Sequence, residues 1–534
     1  MDRYWSFSRI GKYKKQKTMN ILVYSNVYLW PEHISQLIEI AKINIKKGNK
    51  VFVLTCDKSL ISCPINPFHN INICKKCILQ KKNITNNILE NINEIPLNFE
   101  QPDFKFPKFK SLADFMNYKY DNNLPLGELV ISTYSDETRN FFLNFNKIQQ
   151  ECLVLAKNAI GLYEKARKII KENDIQQVYV WNGRRTSCGP VLYAAKKEKR
   201  EYYSYISAGS ISTYVLQPTL GVHKLDYWKK NIEANYKKFG LNNKKSYISR
   251  ANNFFKYMRY GQGTRSSGMP FFRDFFDDKI KIVTARDKNK KNIVIFTSSY
   301  WEFFSLGEEF RKKNGLEINH YQLLEKILND QFLIQSFNIS VRWHPNLSSA
   351  ANEEKEVINN IINKTTYAAT HYKADNKINS YKLIENSDIV ITFGSTVGVE
   401  ATYYGKPSIL LGVAYYEDTG SVYNPKNYKE FIKLLKSNLK PLPKIKAIKY
   451  GANEYYKGIK YLYVVRDQHH QWFCNGKNVL YQSILDKIKK LIRFYLSKIG
   501  ILGHVKKSFS FLFYIIGKRK TKDMTPIKWL NSDI

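Results

Sequence analysis

Apolar residues recur along this chain in two registers. Short apolar runs bounded by polar turns read as buried strands, and longer segments with apolar positions three and four apart read as helices. Ile21-Leu22-Val23-Tyr24 is a run of the first kind, and residues 34–48 form a periodic helix closed by Gly48. Lys50-Val51-Phe52-Val53-Leu54-Thr55 follows as a second strand. Strand, helix, glycine and strand in that order predict a parallel βαβ opening. The pattern returns at Val178-Tyr179-Val180-Trp181, a helix through Ala194-Ala195-Lys196, and a strand at Tyr202–Ile206, so the first unit is expected to be doubly wound. Between these units, residues 80–175 are rich in Asn, Lys and Phe and read as helices joined by loops.

A polar, basic stretch, Asp287-Lys288-Asn289-Lys290-Lys291, precedes a fresh apolar run at Ile293–Thr297 and marks the expected linker. Further strands are expected at 339–343, 389–393 and 408–411, with helical segments between them, which makes the second unit Rossmann-like as well. The expected division is therefore a basic tail at 1–18, one α/β domain at 19–287, a second at 288–480 and a separate C-terminal segment at 481–534. That last segment carries 12 Lys or Arg against 3 Asp, interleaved with Leu491-Ile492, Phe494-Tyr495-Leu496 and the run 509–516. A basic, amphipathic segment of this kind fits in-plane contact with an anionic membrane surface.

Length supports two domains, because a single core rarely grows across 534 residues. The 85 Lys and Arg against 46 Asp and Glu leave a formal charge of +39, which attracts polyanions. No zinc-finger spacing or RNA-recognition aromatic signature accompanies the charge, so nucleic acid is not the expected partner. Seven cysteines, unevenly spread, do not make a disulfide framework. No apolar signal core opens the sequence, and no run reaches the length needed to span a bilayer. The expectation is a cytoplasmic protein, peripheral on the inner face of the membrane.

Candidate chemistry gathers after the carboxyl ends of strands, where open α/β sheets bind ligands. In the second unit these loops are Thr297-Ser298-Ser299-Tyr300-Trp301-Glu302, Arg342-Trp343-His344-Pro345, Gly394-Ser395-Thr396-Val397-Gly398-Val399-Glu400 and the turn at 412–416. Small residues at 394–396 let backbone approach a ligand and open a helix whose N–H groups suit a phosphate, unless they only cap that helix. Pro345 stiffens the exit of its strand and leaves His344 where an imidazole can bond a leaving phosphate. In the first unit, Asn182, Arg184 and Arg185 occupy an equivalent loop, where a guanidinium can grip a phosphate or carboxylate.

Cys56, Cys63, Cys74 and Cys77 fall within 22 positions and end in a Cys-x-x-Cys, the ligand set of a structural zinc or an iron–sulfur cluster. A metal-binding Asp-x-Asp does not stand near the proposed donor loops, so no cofactor is expected to be required for catalysis.

These residues carry a resemblance. Arg342-x-His344-Pro345, then Ser380-Tyr381-x-Leu383-Ile384-x-x-Ser387-Asp388-Ile389-Val390, then Gly394-Ser395-Thr396-Val397-Gly398-Val399-Glu400-Ala401 and Gly405-Lys406-Pro407 resemble the donor half of bacterial capsule and lipopolysaccharide glycosyltransferases with the GT-B fold, capsule Kdo transferases and their relatives among them. The first half resembles surface-carbohydrate biosynthesis proteins through Leu29-Trp30-Pro31-Glu32-His33, Leu126-Gly127 with Ser132-Thr133, and Asn182-Gly183-Arg184. In that group the strand after the Asn-Gly-Arg helix often ends in an acidic residue, whereas this chain has Ile206-Ser207-Ala208-Gly209.

The resemblance implies two facing Rossmann-like domains. The second would hold a nucleotide-sugar through Ser298, Arg342, His344, Pro345, Gly394, Ser395, Thr396 and Glu400, the last at a ribose. The first would hold a glycan or lipid-linked acceptor. An acceptor hydroxyl needs a base, for which Glu32 or His33 after the first strand is the candidate, although either residue can instead cap the next helix. Rival readings are a CDP-glycerol-type polyol-phosphate transferase, a sugar-nucleotide epimerase and a non-catalytic polyanion-binding protein.

Overall fold

The computed structural model describes residues 18–208, 212–260, 282, 287–311, 316, 319–467 and 471–481. The basic tail through residue 17 and the amphipathic segment from 482 onward lie outside them. No described helix is long and apolar enough to cross a membrane.

The first sheet contains β1 (Asn20–Tyr24), β2 (Lys50–Thr55), β3 (Ile92–Pro96), β4 (Gln177–Trp181), β5 (Glu201–Ser207) and β6 (Thr213–Gln217). Its parallel part runs β3-β2-β1-β4-β5, and β6 adds antiparallel to β5. The second sheet contains β7 (Lys291–Phe296), β8 (Phe337–Arg342), β9 (Ala369–Tyr372), β10 (Ile389–Thr392) and β11 (Ser408–Leu410), in the parallel order β9-β8-β7-β10-β11. Both orders are 3-2-1-4-5, so each unit is Rossmann-like and reverses its winding beside its first strand. The expected α/β class with two such domains is what the chain adopts.

Alternation along the strands explains how each sheet is covered on both faces. Ile21, Val23, Val51 and Val53 pack against the helix Pro31–Lys46, while Leu22, Tyr24, Phe52 and Leu54 pack with the long helix Phe145–Glu172 on the other side. In the second sheet Ile293, Ile295, Ile339 and Val341 face one core, and Val294, Phe296 and Val390 the other.

Two departures from the sequence reading concern edges. β3 lies inside the stretch expected to be helices and loops; as an edge strand it reads Ile-Asn-Glu-Ile-Pro, with little apolar continuity to betray it. The chain also does not stay in the second domain to residue 480. After the helix Lys444–Tyr456, β12 (Ile459–Lys460) pairs antiparallel with β6, extending the first sheet to seven strands. β13 (Val464–Arg466), β14 (Trp472–Cys474) and β15 (Lys477–Asn478) form a small sheet whose Val464, Trp472 and Cys474 join the core beneath the helix Pro31–Lys46.

Glu39, on that helix and wholly buried, fastens this returning strap: its carboxylate accepts the backbone N–H groups of Leu462, Tyr463 and Val464 at 2.7, 2.9 and 3.1 Å. Replacing Glu39 with Ala strands three backbone donors, that of Val464 fully buried. The expected cost is about 3 kcal/mol. Hydrogen exchange should accelerate first at residues 459–467, ahead of the strands of the parallel sheets.

Candidate active site

Loops after the carboxyl ends of the two sheets meet face to face. Ser132 donates its hydroxyl to the Ser305 carbonyl at 2.6 Å, and Leu225 N–H donates to Glu309 Oε2 at 2.8 Å. His223 Nδ1 stands 3.3 Å from the Tyr415 hydroxyl, and Arg311 pairs with Glu128. The predicted ligand side of each unit therefore lines one interdomain cleft.

On the second-domain wall, β8, β7 and β10 end side by side. Thr297 Oγ1 accepts the His344 N–H at 2.9 Å, tying two of the loops together. His344 Nδ1 accepts the Asn346 N–H at 3.2 Å, which leaves the ring proton on Nε2. Burial and then the Arg342 charge push its pKa down to about 4, so the imidazole is neutral near pH 7. Ser298 is buried, and its hydroxyl has no hydrogen-bond partner. Gly394 has φ +136°, and a Cβ there would come within 2.6 Å of Val413 O and the Phe303 ring, so only glycine fits. Ser395 Oγ accepts the Val397 N–H at 3.3 Å, its carbonyl accepts the Tyr416 hydroxyl, and Thr396 opens the helix Val397–Tyr403.

Glu302, within the first of these loops, was not among the expected ligand residues. Its carboxylate accepts from Ser299 Oγ and from Asn346 Nδ2, the latter at 2.8 Å, and burial raises its pKa. Arg184 of the first domain acts on it electrostatically, so this carboxyl sits where the two domains meet. An acidic side chain in the first helical turn after a strand was the available signal, and the glycine loop drew attention from it.

On the first-domain wall, the His33 ring lies tilted against Trp181 with centroids 5.2 Å apart, and its Nδ1 is 3.4 Å from Ser207 Oγ. Burial pushes its pKa down to about 4. Glu32 is half-buried nearby and acts electrostatically on Tyr461 of the returning strap. Ser207 also borders a cavity of about 150 Å³ shared by both domains, whose walls include His223, Trp228, Tyr415, Asn453, Glu454 and Lys457. The order in which these residues occur, from three distant parts of the chain, hides this cavity from a reading of motifs.

Several expected ligand residues are engaged by the protein itself. Arg184 donates to Asp136 at 3.2 Å and to the Ser305 hydroxyl at 2.9 Å, while Arg185 pairs with the same Asp136. Arg184 thereby bridges the two domains through Ser305, while Arg185 is held within the first domain by Asp136 and Glu137. Asn182, at φ +59°, uses its side chain to accept the Arg184 N–H at 3.2 Å and shapes the turn. Arg342 donates to the carbonyls of Lys373 and Asn376 at 2.5 and 2.9 Å, pinning the loop after β9. Glu400 is buried and accepts the Tyr381 hydroxyl. Pro345 begins a short 3₁₀ turn, Pro345–Ser349. The four cysteines lie away from the cleft around a separate cavity, where burial pushes Cys56 up to about 11 and Cys77 up to about 12.

Comparison with known proteins follows this division. Residues 321–438, which hold both the His344 and the Gly394–Glu400 loops, match the family described as capsule polysaccharide biosynthesis protein. No curated protein matches the chain. Among solved structures, the chain is similar to Thermosulfurimonas dismutans KpsC, beta Kdo 2,7 transferase, at 14% identity over 63% of this chain and 93% of that one, with a TM-score of 0.33. The beta Kdo 2,4 transferase of the same KpsC gives 13% identity over 60% and 87%, with a TM-score of 0.32. Acinetobacter baumannii MurG gives 10% over 82% and 95%, with a TM-score of 0.26.

The clamp makes stability depend on pH. Glu137, adjoining Asp136, accepts Ser62 Oγ at 2.9 Å and stands 3.7 Å from Arg185, yet burial prevails and raises its pKa from 4.5 to about 8. Because the folded pKa is raised, the stabilisation is fully present below about pH 4.5 and is lost as pH climbs through 8, a span of about 5 kcal/mol at most. Denaturation midpoints of Glu137→Gln across this window should show a flatter decline than those of the parent protein.

Proposed function

We propose that the protein is a glycosyltransferase of capsule or related surface-polysaccharide synthesis, moving a sugar from a nucleotide-activated donor to a growing glycan or lipid-linked acceptor. The observation that carries this reading is the family match over 321–438, because it brackets the His344 and Gly394–Glu400 loops at one end of the second sheet. The neutral His344, with its proton on Nε2, is suited to donate to a departing phosphate, and the Ser298 hydroxyl offers a second donor. Close backbone approach at Gly394 favours the same occupant.

Across the cleft, His33 is the candidate base for the acceptor hydroxyl, because a neutral imidazole can take a proton and Ser207 orients the ring. Glu302 supports the donor side through Asn346, the residue whose N–H fixes the His344 tautomer. Residues in the cavity beside Ser207, chiefly Trp228 and Tyr415, offer aromatic surface against which a sugar ring can pack. On this reading the chain works at the cytoplasmic face of the membrane, where the basic segment 481–534 contacts anionic lipid and keeps the enzyme beside a lipid-linked acceptor.

Thermal-shift and calorimetric titration of the full chain with CMP-, CDP-, UDP-, GDP- and dTDP-linked sugars tests the donor site. One nucleotide class is expected to stabilise the protein, and His344→Ala should weaken its binding by roughly tenfold, the loss of a hydrogen bond to a charged group. Absence of any response in the parent protein overturns the transferase reading in favour of polyanion binding.

A further inference from the structure

The four cysteines of residues 56–77 take no part in the cleft, yet the fold gathers them. Cys56 follows β2, Cys63 lies in the next loop, and Cys74 and Cys77 occupy the first two turns of the helix Ile71–Asn87. All four line one cavity of about 20 Å³ together with Asn26, Lys58 and Asn66. That volume holds about one water-sized body.

Two amide side chains also border the cavity. Asn26, only 2% exposed, donates its amide N–H to the Ser187 carbonyl, but its Oδ1 is buried with no hydrogen-bond partner. Asn66 already donates its amide N–H to Cys74 Sγ at 3.2 Å, the kind of outer contact that steadies a metal-bound thiolate.

We propose that this cavity is a structural site for one zinc ion, ligated by Cys56, Cys63, Cys74 and Cys77. Five of the six pairs among these thiols act on one another electrostatically, which places them in one neighbourhood. Among the described residues no three His, Cys, Asp or Glu side chains stand in ligating geometry, so binding draws the sulfurs inward by rotation about their Cα–Cβ bonds. Each ligating thiol releases its proton to solvent, and the resulting tetrathiolate complex carries two negative charges. Lys58 on the cavity wall offsets part of that charge, and the fields of Lys81 near Cys77 and Arg185 near Cys63 add to it although each already pairs with a carboxylate.

The volume favours a single ion over an iron–sulfur cluster, which needs room for several atoms between its cysteines. The site would cross-link the loop after β2 to the start of the following helix, beside the chain that leaves β1. Ser62, next to Cys63, donates to Glu137, so the loop held by the ion also touches the interdomain clamp.

Elemental analysis of the full chain as purified tests the proposal, with acid-labile sulfide measured in parallel. About one zinc per chain is expected in the parent and in Cys152→Ser, whose thiol is buried in a different core, and less than about a tenth in the double variant Cys74→Ser with Cys77→Ser. Should the double variant fail to fold, the parent stripped of metal and loaded with cobalt(II) supplies the answer. Thiolate charge-transfer bands with tetrahedral ligand-field absorption support the site, and their absence overturns it. Iron and sulfide in place of zinc overturn the single-ion assignment. None of these readings depends on nucleotide binding, so this proposal and the transferase reading fail separately.

Discussion

The buried ionic node at Asp136 is the constraint on which the cleft depends. Arg184 and Arg185 leave the turn after β4, both reach Asp136 from the helix Leu126–Thr138, and Arg184 continues to Ser305 at the end of the helix Tyr300–Leu306. A shared carboxylate with two guanidiniums is costly to desolvate, and burial lowers both arginine pKa values to about 10. Such a node holds only if every partner is present; deleting one member of a buried pair costs about 3–5 kcal/mol. Through Arg184 and Ser305 the node also reaches across to the second domain.

Around that node the backbone leaves little freedom. Gly183, at φ +80°, packs where a Cβ would lie 2.4 Å from Leu192, so the Asn182-Gly183 turn is compelled to deliver Arg184 to the interface. Ser132 donates to the same Ser305 carbonyl that Arg184 reaches. The residues that resemble a ligand-binding motif in the first domain are thus the joint between domains.

How much of this could be read beforehand divides along physical lines. Parallel strands buried on both faces are continuous apolar runs, and β1, β2, β4, β7, β8 and β10 were all legible for that reason. β3 escaped because an edge strand has one exposed side, and β12 to β15 escaped because strands of two or three residues carry too little periodicity. In the site, loop positions after strands were correctly located, but side-chain direction was not. Ser298 keeps a hydroxyl without a hydrogen-bond partner, whereas Arg342 and Glu400, from the loops beside it, turn back to backbone carbonyls and to Tyr381. Direction depends on partners such as Tyr381 and Asn376, which no motif specifies.

Titrating groups around the cleft share one physical cause for their shifts. Burial pushes His33 and His344 down to about 4 and His223 to about 3, while it raises Glu302 and Glu137. A cleft of this kind disfavours charge of either sign on its own side chains and presents them as neutral donors and acceptors. Despite the net charge of +39, the arginines nearest the cleft are already spent on Asp136. An anion entering beside His344 would itself favour the imidazolium and raise the pKa that burial had lowered. Neutrality in the unliganded cleft and proton uptake with an anionic guest are then two consequences of the same desolvation, and the histidines need no resident carboxylate to be drawn into acid–base work.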